Sequence, residues 1–206
     1  TNQGKTIFHF AVQNSDPQVA KLILDIFRFE DIRDGEGWTM LHDAVGFGRN
    51  EIIEFLIESR HKLGINIEER TTDGHTILHL ACFYRDIKVV DLVNNWLEAI
   101  NSDIDFDTQD ENQNTILHFA CMRKTSDVAI HLLQRFPDKI NVLGYNGKHV
   151  LHYACHIGHL KLLKFIIGNP DFDIDFKIVD QSSNTPLHSA CYHGQFEVVK
   201  VLLENS

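Results

Sequence analysis

The chain has 206 residues, 43% apolar and 23% charged, with 29 acidic against 19 basic side chains and a net charge of −10. That balance argues against wholesale phosphate or nucleic-acid binding, which needs a surplus of Lys and Arg in one stripe. Nothing resembles the run of ~18 apolar residues that spans a bilayer, and collagen, coiled-coil and disordered compositions are excluded. No signal-like or transit-like stretch opens the sequence. With neither an initiator Met nor a tail, it reads as a segment excised from a longer protein, a soluble globular array.

In chain order the elements recur. Gly4-x-Thr6 leads into Phe8-His9-Phe10-Ala11, a short helix, and Val19, eight residues past Ala11, opens a second helical stripe. Gly37-Trp38-Thr39 then leads into Leu41-His42-Asp43-Ala44, a turn at Gly48, and the stripe Ile52, Phe55, Leu56. The third unit runs Gly74-His75-Thr76, Leu78-His79-Leu80-Ala81 and Val89, and the fourth Leu117-His118-Phe119-Ala120 and Val128. The fifth has Leu151-His152-Tyr153-Ala154, Gly158 and Leu162, and the sixth Leu187-His188-Ser189-Ala190, Gly194, Val198, Val201 and Leu202. Successive motif histidines are 33, 37, 39, 34 and 36 residues apart. Each unit therefore reads as a turn, a short helix, a tight turn, a longer helix and a loop, with Gly48, Gly158 and Gly194 suited to a left-handed cap at the tight turn. Such a pair cannot bury both faces alone, so neighbours must stack. The units fall at about 1–33, 34–70, 71–109, 110–143, 144–179 and 180–206, the last incomplete, in one array over 1–206. The second and third carry extra residues near 59–70 and 94–109, expected as loop insertions of small entropic cost.

This pattern resembles the ankyrin repeat, whose signature is Thr-Pro-Leu-His-x-Ala at a period of about 33. Only Pro186 keeps the proline; Ile7, Met40, Ile77, Ile116 and Val150 replace it. Gln113 and Ser183 stand where Gly is usual and His149 where Thr is, so those tips are expected to be less regular. The resemblance implies an all-α, ankyrin-type solenoid of about six stacked helix-turn-helix units with protruding hairpin loops. It also implies that each motif His knits one hairpin to the next.

His-x-x-Cys occurs four times, at His79/Cys82, His118/Cys121, His152/Cys155 and His188/Cys191. The pair has zinc-ligand chemistry, but Val12 and Val45 fill the Cys position in the first two units, and four ligands would have to converge. The thiols are expected to act as small buried hydrophobes. Helical layers about 8–10 Å apart are too far for disulfides, which need Cα atoms within ~7 Å. Four unpaired thiols point to an intracellular, cytoplasmic protein. Gly4-Lys5-Thr6 mimics the end of a phosphate loop, yet Gly-x-Thr recurs without the Lys. The carboxylates of 171–175 read as solvated edges, and Ser189 beside His188 lacks an oriented third member. No metal, cofactor or catalysis is expected.

The function expected is a protein–protein interaction module, a scaffold or adaptor, binding a partner through its concave face and hairpin tips. The alternative is a regulatory array controlling an enzyme or channel in the same polypeptide, suggested by the apolar end helix with Val198, Val201 and Leu202. The resemblance places partner contacts at the tips, Trp38, His75, Asn114 and Lys148. It places others at the ends of the first helices, Phe47, Phe83, Tyr84, Met122, Arg123, His156, Tyr192 and His193. Because aromatics, Met and Arg are enriched in interfaces, binding is expected to centre on units two to four.

Overall fold

A computed structural model describes residues 4–14, 16–26, 33–84, 87–102 and 104–205. The chain forms two compact units, Thr1–Asp105 and Phe106–Ser206. In the first, α1 (Ile7–Asn14) and α2 (Pro17–Ile26) form one pair, α3 (Met40–Gly46) and α4 (Asn50–Glu58) the next, and α6 (Ile77–Tyr84) and α7 (Ile87–Ala99) the third, with a single turn α5 (Arg60–Leu63) after α4. The short helices α1, α3 and α6 pack in series, and α2 packs on α4. The second unit pairs α8 (Ile116–Cys121) with α9 (Asp127–Arg135), α10 (Val150–Ile157) with α11 (Leu160–Ile167), and α12 (Pro186–Tyr192) with α13 (Phe196–Glu204). There α8, α10 and α12 pack in one row and α9, α11 and α13 in another. No described helix is long and apolar enough to cross a membrane.

The repeat motif builds the start of each short helix. The N–H of Thr6, Thr39, Thr76, Thr115, His149 or Thr185 donates to Nδ1 of the motif His three residues on, at 3.1–3.2 Å. Where the first residue is Thr, its hydroxyl lies 2.8–2.9 Å from the same nitrogen. Nδ1 thus carries the lone pair, which leaves the proton on Nε2 to reach the next tip. His9 donates to the Trp38 carbonyl at 3.1 Å and His152 to that of Asn184 at 2.9 Å. In these two units the imidazole is a two-ended tie between hairpins, whereas Nε2 of His42 and of His118 is buried without a close hydrogen bond. A second tie was not foreseen: the residue after the inner turn reaches back to the preceding short helix. Arg49 Nε donates to the Gln13 carbonyl at 3.0 Å, His159 meets that of Cys121 at 3.1 Å, and Gln195 that of His156 at 2.9 Å.

Several expectations need correcting. The tips at Gln113 and Ser183 are as regular as the others, with φ of 66° and 62° against 73–78° at Gly4, Gly37 and Gly74. An aspartate clamp holds them: Asp110 Oδ1 accepts the N–H of Asn112 and Asn114, and Asp180 Oδ1 that of Ser182 and Asn184. His149 replaces the threonine cap by accepting the Leu151 N–H on Nδ1. Val19 is exposed, because Ala20 and Leu24 form the inward stripe of α2 and Val19 lies about 100° round from Ala20. The insertion at 94–109 is not all loop: Val93 and Leu97 continue the buried stripe, so α7 extends to Ala99. Val198 and Leu202 are buried among α11, α12 and α13, whereas Phe196 and Leu203 are exposed. Cys82, Cys121 and Cys155 are buried, but Cys191 and His188 are exposed on α12, which packs on α10 and α13.

Candidate functional site

The largest concentration of contact-position residues in one place lies in the first unit. Trp38 is pinned at its tip from both sides, its N–H donating to Asp34 Oδ1 at 2.9 Å while its carbonyl accepts from His9. Its indole lies over Gly46, where an added Cβ would come within 3.0 Å of the ring. Tyr84, from the end of α6, meets the indole edge-on with centroids 6.2 Å apart, and Phe83 in turn meets Tyr84 edge-on at 4.8 Å. Phe47 stands exposed at the end of α3. Between these rings opens a cleft of about 310 Å³, bordered also by Lys5, Glu36 and Asp43.

Asp43 sits three residues before Gly46, on the same face of α3. Its side chain is fully buried, and Lys5 Nζ lies 3.4 Å from Oδ1 and 3.9 Å from Asp34 Oδ2. The other oxygen of Asp43, Oδ2, and the nearby amide nitrogen of Gln13 are buried without a hydrogen-bond partner. Burial pushes the Asp43 carboxyl above the usual carboxylate range, against the opposing pull of Gln13 and Lys5. The electrostatics of the cleft are therefore acidic and incompletely compensated.

The remaining expected positions separate into distinct settings. His75 is half-buried with its ring 6.2 Å from that of His79. Asn114 is turned inward: its Oδ1 accepts the Tyr145 N–H and the Tyr153 hydroxyl, each at 3.0 Å, and its amide donates to Asp110. It braces a tip rather than facing solvent. Met122 and Lys148 border a smaller cleft of about 240 Å³ with Tyr145 and Tyr153, and Lys148 Nζ lies 5.9 Å from the Tyr153 ring centroid. Arg123 is half-buried. His156 and His193 stack with centroids 3.7 Å apart, and Tyr192, 87% exposed, flanks His193 at 4.9 Å. Among the described residues, no group of three or more His, Cys, Asp or Glu is placed to hold a metal ion.

Asp43 and Gly46 escaped the sequence reading, although the repeat register singles them out. The position after each motif His is Phe10, Asp43, Leu80, Phe119, Tyr153 and Ser189, and Asp43 is its single acid. Three residues on, Gly46 stands where the other units carry Gln13, Phe83, Met122, His156 and Tyr192. Comparing like positions across units would have found both.

Comparison with known proteins agrees with this architecture. The family model described as ankyrin repeats (3 copies) matches residues 1–71, 61–143, 91–178 and 136–206. Among similar proteins, the target of rapamycin complex 2 subunit AVO2 of Saccharomyces cerevisiae is 28% identical over 79% of this chain and 36% of its own length. Rabankyrin-5 of Homo sapiens is 26% identical over 84% of this chain and 14% of its own. The probable 26S proteasome regulatory subunit p28 of Saccharomyces cerevisiae is 28% identical over 84% of this chain and 72% of its own. The chain thus spans about a third of the first relative and a seventh of the second. Matched by the family model from end to end, the chain belongs to the ankyrin-repeat family, a non-catalytic interaction fold.

Proposed function

We propose that this chain is a docking module that binds another protein, or a further part of the same polypeptide, through the tips and short-helix ends of its repeats. The observation that carries the reading is the open cleft in the first unit walled by Trp38, Tyr84 and Phe47. Large amphipathic rings beside a partly desolvated polar group are the composition of interface hot spots. The stacked His156 and His193 with exposed Tyr192 support a second contact area in the other unit. Similarity to a subunit of a protein complex and to a probable regulatory subunit is consistent with a scaffold or adaptor role. Buried, unpaired thiols fit a reducing intracellular compartment.

The test is affinity capture from cell lysate with the wild-type chain and with Trp38→Ala/Tyr84→Ala, both checked for unchanged helical circular dichroism. A partner retained by the first and lost by the second supports the reading. Identical captured sets would overturn the assignment of this cleft. Trp38→Ala alone is expected to weaken the captured complex by ~2 kcal/mol or more, the hot-spot range.

A further inference from the structure

The cleft in the first unit has a chemistry of its own, and its residues carry more than a general docking role. Asp43 is not required by the architecture, since five other units place Phe10, Leu80, Phe119, Tyr153 or Ser189 at the same step. A carboxylate buried there, with one oxygen making no close hydrogen bond, is costly to the fold. Its Oδ1 faces Lys5, while Oδ2 makes no close hydrogen bond and has only the pull of the Gln13 amide to offset its charge. Asp34 spends Oδ1 on the N–H groups of Glu36 and Trp38. Counting formal charges, the cleft sets Lys5 against Asp43 and Glu36, an excess of one negative charge, and Lys5 also meets Asp34, which borders the neighbouring hollow.

Gly46 admits the indole. Where the other units project a side chain from this step, α3 projects none, and the Trp38 ring lies against the bare backbone with Tyr84 beside it, so that the two rings wall the cleft. Ring faces attract cations, and an aliphatic stem lies well along apolar walls while its charged end reaches a polar group. An anion would meet two carboxylates, Asp43 and Glu36. A purely apolar side chain would seal Oδ2 away still unpaired. A hard metal ion would find too few oxygens among aromatic walls.

Building on the docking role proposed above, we propose that this cleft receives the cationic end of a partner's arginine or lysine side chain, an N–H of which donates to Asp43 Oδ2 while Trp38 and Tyr84 cover the stem. Glu36, exposed at the rim, supplies the second negative charge that draws the cation in.

The test follows the indole N–H resonance of Trp38 in 15N-labelled protein, with Trp96 as an internal reference outside the cleft. Capped tripeptides Gly-Arg-Gly, Gly-Lys-Gly and Gly-norleucine-Gly are titrated separately. A saturable shift of Trp38 with the arginine or the lysine peptide, with Trp96 unmoved and norleucine inert, is the expected result, and the stronger of the two identifies the side chain. Asp43→Asn should weaken that binding about tenfold or more, and Glu36→Gln severalfold. If D43N does not fold by thermal melting, E36Q carries the charge test alone. Absence of a saturable shift with both cations, or undiminished affinity in the folded variants, overturns the proposal. A norleucine shift equal to the cationic ones overturns it too, yet leaves the docking role standing. Loss of both requires, in addition, that Trp38→Ala/Tyr84→Ala leaves partner capture intact.

Discussion

Gly46 makes room for Trp38: a Cβ on Gly46 would lie 3.0 Å from Cζ3 of the indole, closer than side chains pack without shifting. The contact couples the last residue of α3 to the tip that precedes it, and so sets the depth of the cleft. Gly46→Ala should push the ring outward while gaining up to about 1 kcal/mol of helix propensity. Net stability should stay within about 1 kcal/mol of wild type, and Trp38 fluorescence should change. Gly46→Leu should fill the opening and abolish binding of the basic tripeptides. Retained binding in the folded leucine variant would mean that the cleft is not where they sit.

Acid should weaken the fold through its buried imidazoles. Burial lowers His42, His118 and His149 from 6.5 to about 4. Their folded values lie below the unfolded one, so the stability they confer is complete above about pH 6.5 and is lost as pH falls from there towards 4. A shift of this size corresponds to roughly 3 kcal/mol per site once fully lost. Urea midpoints at pH 7.5, 5.5 and 4.5 should fall steadily. A flat profile would show that these rings are hydrated.

The thiols should divide three to one. Burial pushes Cys121 and Cys155 up to about 12 and raises Cys82 as well, so none of these offers thiolate or access at neutral pH. Cys191 lies on the exposed face of α12. Brief treatment of the native chain with iodoacetamide at pH 7.5 should add one group by intact mass, mapping to Cys191, and denaturation should release the other three. Rapid addition of more than one would contradict the burial of the first three.

Replacing equivalent tip residues should have opposite effects. At Gly37 φ is +75° and a Cβ would stand 2.8 Å from the Thr72 nitrogen, whose N–H donates to the Glu36 carbonyl. Gly37→Ala should therefore cost about 1–3 kcal/mol through left-handed strain and the lost link between tips. Gln113 already bears that strain at φ +66°, and Gln113→Gly should be neutral or stabilising by up to about 1 kcal/mol. Chemical denaturation of both variants checks the pair. A destabilised Q113G would mean that the glutamine side chain holds the turn by packing, since the backbone carbonyl that accepts from the Gln109 amide is kept in the glycine variant.

Much of the helical plan was legible in the sequence because it is written in short-range terms. Thr-x-x-His closes a capping box within one turn at Thr39, Thr76, Thr115 and Thr185, and each Ala-to-Val spacing marks two faces that local periodicity must bury. Positions that obey the same rule in every unit, such as Leu41, Leu78 and Leu151, could be placed without coordinates. The exceptions follow from the rotation of single helices. Val19 turned outward because α2 presents Ala20 and Leu24 to α4, and α7 outran its expected end because Val93 and Leu97 stay in register.

The sequence by itself determined the repeat, the helix pairs and the histidine ties, since these depend on neighbours a few residues apart and on a period repeated six times. It did not single out the cleft. Lys5, Trp38, Asp43, Gly46 and Tyr84 come from three successive units, and which side chains converge, which oxygen stays unpaired and which tip amide turns inward, as at Asn114, depend on packing between units. A repeat motif records what the units share; the site arises where one unit departs from the others, and only the tertiary structure shows what fills or leaves open the space so made.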